Sequence, residues 1–434
     1  MHRLTPMRWW RAATGAIERA LIRPCRTAEG STGFWLFVSH LVTTFGIALS
    51  NFLLFFTLIW AAIRRRRLHF ASGDEDRRRR RRILLPLGLY AGCFVLSAAF
   101  SYDPATSLQE LSTLYAVLTL PLALLLVRGE RQVRVVIVAL TGISAVLAVY
   151  GLAQFAFTDY GPLQQRIPGP FSHYMTFSGV LLLGLALIAG RLSSAGGWRS
   201  RANWIGLALV GGALVLTLTR NAWLGAFALA ITAMALQRRR VFLGFAGALV
   251  LAAVSLAAVA PTLWPTYWQR ATSMADVRNP SNYDRLCMLW AGGQMIVDRP
   301  LTGIGPAMVR EWYPVYRHPT SVRPRVKHLH NTFVHMAASR GIPSLLAYLW
   351  LMAAAAAMAF EGYRREGGRA GPRADLYLGV LFALLALNVA GLFEANWRDT
   401  EIQRWTLFLL ALPVILRAPD DQPGDSACTS TASV

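Results

Sequence analysis

The chain of 434 residues carries little charge and almost no lysine: 15% of its residues are charged, and Lys327 is the single lysine. Acidic residues number only 22, whereas hydrophobic residues make up 55% of the sequence. A soluble protein of this length could not bury so much apolar surface, so the composition excludes an ordinary soluble enzyme. The four cysteines, at positions 25, 93, 287 and 428, have neither the pattern of a disulfide framework nor the spacing of a zinc motif.

Apolar runs recur from residue 34 to residue 417 and predict an all-α polytopic membrane protein. A membrane-spanning helix needs about 20 apolar residues, so the first run, 34–63, predicts two short helices that break near Gly46–Asn51. The complete set predicts 12 crossings, over 34–63 (two), 83–100, 111–127, 133–157, 174–190, 203–219, 221–236, 241–260, 343–360, 374–393 and 402–417.

Arginine clusters predict the orientation of these crossings, because basic residues favour the cytoplasmic side of a membrane. When the crossings alternate, the clusters all fall on that side, at 64–67, 77–82, 128–134, 191–201, 238–240 and 364–373. In a soluble chain, the net charge of +22 would indicate a nucleic-acid partner. Because the cytoplasmic clusters explain most of this charge, we expect no nucleic-acid partner.

This orientation divides the chain into five expected regions. They are an amphipathic cytoplasmic segment at 1–33, helices 1–9 at 34–260, a periplasmic catalytic segment at 261–342, helices 10–12 at 343–417, and a disordered cytoplasmic tail at 418–434.

The long segment 261–342 is rich in proline, which excludes one continuous helix. The pattern predicts a shorter helix over Tyr283–Val297, with Asn282 or Asp284 as its cap. The segment contains ten basic residues against four acidic ones, interleaved with aromatic residues. Such a mixture suits sugars and phosphates, although an aromatic belt at a membrane interface would have the same composition.

Two arginines lie outside the cytoplasmic clusters, so the orientation of the crossings does not explain their positions. Arg220 lies midway between two cytoplasmic clusters, and Arg166 lies in a short outer loop, so both are expected at the outer face. An anion site there is one interpretation, and an arginine that reaches outer phospholipid phosphates is the other.

Four histidines of the outer segment are candidates for proton transfer, because the pKa of histidine lies near working pH. They are His318, His328, His330 and His335. No carboxylate follows Glu311 within the segment, and the spacing is not that of a standard zinc motif, so we expect no metal. The last outer loop contains Glu394 and Asp399, which would orient a histidine, neutralise an arginine or simply be solvated.

Three motifs together resemble those of bacterial O-antigen ligases, O-antigen polymerases and protein O-oligosaccharyltransferases. In chain order they are Thr219-Arg220-Asn-Ala-Trp223, then Arg285 and Trp290 followed by Pro300-Leu-Thr-Gly303-Ile-Gly305, and finally His330-Asn331 followed by Arg340-Gly341. Thr219 stands where this superfamily usually has serine and keeps the hydroxyl. The matching layout covers residues 34–417.

The resemblance implies an inverting C-type glycosyltransferase of the bacterial inner membrane that needs no metal or cofactor. Its donor would be a glycan on undecaprenyl pyrophosphate, and its acceptor would be a sugar hydroxyl of lipid A–core at the periplasmic face. Membrane lipids would surround the protein as further partners. Arg220 and Arg285 would bind the pyrophosphate, and His330 would act either as the base or as a phosphate ligand. The further substrate-binding residues that we expect are Arg166, Asn331, Tyr283, His328 and Asp399.

The three groups of this superfamily share these motifs. One large outer loop favours a ligase over a polymerase, and the short stretch after the last apolar run favours it over a protein transferase. A transporter of lipid-linked glycans is a further alternative, but it would need ionisable groups in the middle of the membrane, whereas the apolar runs are nearly free of charge. The acceptor sugar, the donor glycan and the oligomeric state stay open.

Overall fold

The computed structural model describes residues 28–64, 74–158, 166–236 and 278–416, together with positions 243, 246–247, 265, 268–269, 272–273 and 276. These residues form helices and connections with no strand among them, so the all-α prediction is confirmed. Most of the predicted segment 1–33, most of the apolar run 241–260 and the tail 418–434 lie outside the described residues.

Fourteen α-helices provide the framework of the described residues. Their bounds are α1 Ala28–Val42, α2 Ile47–Ile63, α3 Asp74–Ala99, α4 Pro104–Gln109, α5 Thr119–Leu126, α6 Gly129–Phe157, α7 Tyr174–Ser193, α8 Arg201–Leu216, α9 Arg220–Ala235, α10 Pro280–Asp298, α11 Met308–Tyr316, α12 Thr332–Arg365, α13 Ala374–Gly391 and α14 Thr400–Ile415. Short 3-10 helices occupy Glu110–Leu118, Gly197–Arg199, Gly368–Ala370 and Asn396–Arg398.

Within the described residues, six helical segments are long and apolar enough to cross a membrane, which makes the chain a multi-pass membrane protein. They are Asp74–Ala99, Pro104–Leu126, Gly129–Phe157, Tyr174–Ser193, Thr332–Arg365 and Ala374–Gly391. The shorter apolar helices include Ile47–Ile63 and Arg201–Leu216. The count of 12 crossings stays a prediction.

The interior of the bundle is formed by α7, α13 and α14. These helices are apolar around most of their circumference, and nearly every side chain of α7 and α14 is buried. A helix that is hydrophobic on all sides belongs inside a bundle, whereas one with a single apolar face belongs at its surface. Because these central helices are packed on all sides, they fix the positions of the loops at their ends.

The first apolar run divides as expected, but slightly earlier. The turn lies at Thr43–Gly46, and Asn51 is already inside α2. Gly46 precedes α2 as its N-cap, so the helix begins as soon as the backbone has turned.

The predicted helix over 283–297 is confirmed as α10, but the predicted cap at Asn282 or Asp284 is wrong. Asn279 is the N-cap, and its side chain accepts a hydrogen bond of 3.1 Å from the Ser281 amide. Proline suits the first helical position because it has no N–H to satisfy there, so the helix begins at Pro280, earlier than its apolar pattern indicates.

A kink divides α12 into two parts at Gly341, whose φ is 82°. Pro343 has no N–H for the carbonyl of Ser339, and this carbonyl accepts instead from the amide of Gly305 at 3.1 Å. A Cβ on Gly341 would lie 2.1 Å from the Leu301 carbonyl oxygen, so only glycine permits this close approach. The glycines of the second and third sequence motifs therefore pack a loop against a broken helix.

The helices end at two opposite ends of the bundle. One end contains the basic residues near the starts of α6 and α13, where Arg134 pairs with Glu130 at 2.6 Å and with Asp375 at 2.8 Å. The other end, called the site end below, contains the N termini of α7, α9 and α12. The residues of the three sequence motifs lie at the site end.

Candidate functional site

Three of the predicted site residues line one cavity of about 200 Å³ at the site end. Arg220 is the first residue of α9, Arg285 lies in the second turn of α10, and His330 lies just before α12. The cavity has an apolar wall and two amide side chains, contributed by Leu224, Leu286, Leu289, Leu392, Phe393, Asn221 and Asn282. The structure therefore brings together residues that are 110 positions apart in the sequence.

Arg220 is a buried cation, with 4% of its surface exposed. Its terminal nitrogens donate to the carbonyl of Ser273 at 3.2 Å and to the hydroxyl of Ser281 at 3.4 Å, while its Nε has no hydrogen-bond partner in the described part of the chain. Among the described residues, no carboxylate forms an ion pair with it. A buried charge without a counter-charge is costly, and a bound anion would remove that cost.

Arg285 is the second cation of the cavity, and it too has no ion pair within the described ranges. Burial lowers its pKa, and the charges of Arg166 and Arg323 lower it further against the opposing effect of Glu394. The carboxylate beside it in sequence, Asp284, pairs with Arg323 at 3.0 Å instead. The cavity therefore keeps an excess of positive charge.

His330 is oriented by Glu394, which lies in the loop between α13 and α14. Glu394 Oε2 lies 2.8 Å from His330 Nδ1, and Oε1 accepts a hydrogen bond of 3.0 Å from the Ala395 amide. Burial raises the pKa of Glu394, but its hydrogen bond with His330 and the charge of that ring outweigh burial and lower it overall. Because a carboxylate only accepts hydrogen bonds, the ring proton belongs on Nδ1 and leaves Nε2 free to accept another.

The backbone at His330 has a φ of 48°, which is unusual for a residue other than glycine. The residues that follow it hold this conformation. The Asn331 side chain accepts from the Val334 amide at 2.9 Å and donates to the Leu392 carbonyl at 2.8 Å, and the Thr332 hydroxyl donates to the Glu394 carbonyl at 2.9 Å. Both ends of the Asn331 amide are thus engaged within the protein, in contacts that position His330.

His328 packs against His330, with 4.3 Å between the ring centroids. Its Nδ1 lies 3.4 Å from Glu394 Oε1 but makes no hydrogen bond with any described residue. Burial lowers the pKa of His328 to about 4, and Glu394 opposes that shift only in part. The ring is therefore neutral near pH 7.

Arg166 lies beside the cavity without lining it. Its guanidinium carbon is 4.5 Å from the centre of the Tyr174 ring, at the start of α7. Arg166 is close enough to both Arg220 and Arg285 to act on them electrostatically. It therefore adds to the positive potential of the cavity.

Two further predicted residues are not among those that line the cavity. The Tyr283 hydroxyl bonds to the Thr320 hydroxyl on the connection after α11. Asp399 accepts a hydrogen bond of 2.8 Å from the Thr176 hydroxyl, and burial raises the pKa of Asp399 to about 7. Tyr283 thus ties α10 to a connection, and Asp399 ties the start of α14 to α7.

The sequence left three roles open for Glu394, of which the structure shows the orientation of a histidine, and it did not indicate His173. Glu394 is one polar residue among several in its loop, and only the structure shows it buried against His330. His173 caps α7 by accepting from the Met175 amide at 3.2 Å, and it is close enough to His330 and Arg166 for electrostatic interaction. A glutamate directly after an apolar run is the one signal that indicates Glu394.

The comparisons agree with the resemblance of the three motifs. Residues 205–349 match the family model described as O-antigen ligase, a range that includes Arg220, Arg285 and His330 but ends before Glu394. No curated protein matches the chain. Residues 205–349 are therefore similar to the O-antigen ligase family.

Proposed function

We propose that this protein is an O-antigen ligase, which transfers a glycan from undecaprenyl pyrophosphate to a sugar hydroxyl of lipid A–core. One observation carries the proposal: two arginines that have no carboxylate partner among the described residues line the same cavity as one oriented histidine. A reaction that separates a pyrophosphate from a sugar and deprotonates a hydroxyl needs both kinds of group.

The arginines are assigned to the pyrophosphate. As the bond between the sugar C1 and the phosphate oxygen breaks, negative charge grows on the leaving group. Arg220 and Arg285 stabilise this charge, since a guanidinium can bind two phosphate oxygens at once. Arg166, beside Tyr174, adds positive potential at longer range.

His330 is assigned as the general base. The acceptor hydroxyl gives its proton to Nε2 while its oxygen forms the new bond to C1, and undecaprenyl pyrophosphate leaves from the opposite face with inversion. Glu394 holds the proton of Nδ1 and stabilises the imidazolium that forms. If His330 were a phosphate ligand instead, Nε2 would bind the leaving group and the hydroxyl would need another base.

The size and wall of the cavity support a diphosphate head rather than a whole glycan. A volume of about 200 Å³ lies below the range of about 300–1,000 Å³ found for complete small-molecule sites. The leucines and Phe393 provide an apolar surface beside the arginines. Such a surface suits the first isoprene units of a polyprenyl lipid, with the glycan outside the cavity.

The topology belongs to the same proposal. We place the site end at the periplasmic face of the inner membrane, because the arginine-rich end is then cytoplasmic. Twelve crossings, with the apolar run 241–260 as the ninth, satisfy this orientation.

A reconstituted assay tests the ligase reaction against its relatives. The purified protein in liposomes receives an undecaprenyl-pyrophosphate glycan and, in separate reactions, rough lipopolysaccharide, a second donor molecule or a protein acceptor. We expect transfer to lipopolysaccharide. Chain growth on the second donor would identify a polymerase, and transfer to a protein acceptor alone would identify a protein O-oligosaccharyltransferase.

A further inference from the structure

The loop before α12 and the loop after α13 bring together three possible metal ligands beside the cavity. They are Nδ1 of His328, Nδ1 of His330 and a carboxylate oxygen of Glu394, and these atoms all lie within 4.8 Å of one another. The sequence gives no zinc motif here, because Glu394 is 64 positions from His330 and the histidines alone lack a standard spacing. The fold supplies the missing carboxylate.

The distances from the Glu394 carboxylate to the two rings are close to those between the ligand atoms of a tetrahedral ion. Zinc binds imidazole nitrogen and carboxylate oxygen at about 2.0–2.2 Å, so two ligand atoms on one zinc ion are about 3.3 Å apart. The carboxylate oxygens lie 2.8 Å from the nitrogen of His330 and 3.4 Å from that of His328. The two rings also lie close together, with 4.3 Å between their centroids and an angle of 58° between their planes.

The nitrogen of His328 is the observation that points to a ligand. Nδ1 of His328 is buried and has no hydrogen-bond partner among the described residues, although the oxygen of Glu394 is near. A buried polar atom without a partner is costly, and binding an ion would remove that cost. Both histidine side chains keep some exposure, 25% for His328 and 15% for His330, so an ion and a water ligand can reach the site.

We propose that His328, His330 and Glu394 form an inhibitory site for a borderline-soft divalent metal ion, with Zn²⁺ as the best fit. Two imidazoles and one carboxylate, with a fourth position left for water, are a zinc donor set. The same set binds Cu²⁺ but suits Mg²⁺ and Ca²⁺ poorly, because these ions prefer sites made only of oxygen.

Binding would switch the base off. Zinc takes the place of the proton on Nδ1 of His330, and the neutral ring then carries its single proton on Nε2 instead. Nε2 can no longer accept a proton from a hydroxyl, and Glu394 is bound to the metal rather than to the ring. The inhibition rests on the proposed role of His330 as base, whereas the binding does not.

Zinc binding is measured first, on the full-length protein in detergent after treatment with EDTA and removal of the chelator. Titration with ZnCl₂ against a chromophoric zinc chelator should show one tight site in the native protein. His328→Gln and Glu394→Gln should each weaken that site about tenfold or more. His318→Gln is the matched control, because His318 lies in the same segment but bonds to Thr320 instead, and it should keep the site.

Two outcomes of the titration would overturn the proposal: no tight site in the native protein, or native affinity in both His328→Gln and Glu394→Gln. A thermal unfolding curve of each variant without zinc shows whether it is folded, and Glu394→Asp provides a second carboxylate variant that should keep part of the affinity. MgCl₂ at the same concentrations should not compete.

Activity is measured second, as glycan transfer in liposomes. Zinc should inhibit the native protein and EDTA should restore it, while the residual turnover of His328→Gln should be about tenfold less sensitive to zinc. Zinc binding without inhibition would support the metal site and contradict the role of His330 as base.

Discussion

The substitution Glu394→Gln tests how His330 is activated. Glu394 is 4% exposed, accepts from the backbone of Ala395 and contacts the His330 ring at 2.8 Å. Glutamine has almost the same shape, so it fills the same space and can still accept one hydrogen bond. The substitution therefore removes the negative charge beside the imidazole with little change in packing.

The magnitude follows from the hydrogen bond that changes. A hydrogen bond to a charged group contributes about 1.5–3 kcal/mol, whereas a neutral one contributes about 0.5–1.5 kcal/mol. The midpoints of these two ranges differ by about 1.3 kcal/mol, which corresponds to about tenfold in rate. The loss rises toward 10⁴-fold if the glutamine amide donates to Nδ1, because His330 would then hold its proton on Nε2, the wrong nitrogen for a base. We expect kcat to fall by at least tenfold.

The assay is glycan transfer in liposomes, with kcat and the donor KM measured separately and across pH. KM should stay within about twofold, because the arginines that bind the pyrophosphate are unchanged, and Glu394→Asp should recover part of kcat. Glu401→Gln is the matched control: Glu401 is also buried, at 6% exposure, but lies in α14 and does not contact His330. Native kcat in Glu394→Gln would refute the proposed dyad.

Two further predictions concern the cation and the carboxylate beside this dyad. Arg220→Lys should lower kcat for glycan transfer by 100-fold or more, on the order of 3 kcal/mol, because lysine cannot bind two phosphate oxygens as a fork; native turnover would make Arg220 a lipid anchor. Asp399 has a folded-state pKa near 7, above its ordinary value of 3.8, so the folded state holds a proton that the unfolded state releases, and stability should fall as pH rises from 4 to 7. Asp399→Asn should remove this slope from thermal unfolding in detergent, and an unchanged slope would show that another group causes it.

Much of the architecture follows from the sequence because membrane helices are defined by composition. Long apolar runs correspond to α3, α6, α7, α12 and α13. Details set by single backbone groups are harder to predict. The kink at Gly341 leaves backbone carbonyls of α12 without their helical partners, and amides of the loop before α11 donate to them instead. No local sequence pattern encodes that contact.

In the site too, some residues could be predicted from the sequence and others could not. The order of the motifs indicates Arg220, Arg285 and His330, and the cavity brings these three together. Glu394 could not be predicted as the partner of His330, because the contact depends on how α12 and α13 pack side by side. Asn331 looks like a substrate ligand in the motif, but its amide is engaged with Val334 and Leu392.

The most direct test of the account is glycan transfer by His330→Ala. The variant is reconstituted in liposomes with undecaprenyl-pyrophosphate glycan, rough lipopolysaccharide and EDTA, beside the native protein. We predict that the native protein forms the ligated product with EDTA present, and that His330→Ala inserts and binds the donor but forms no product. Product formation by His330→Ala at the native rate would contradict the central claim that His330 takes the proton of the acceptor.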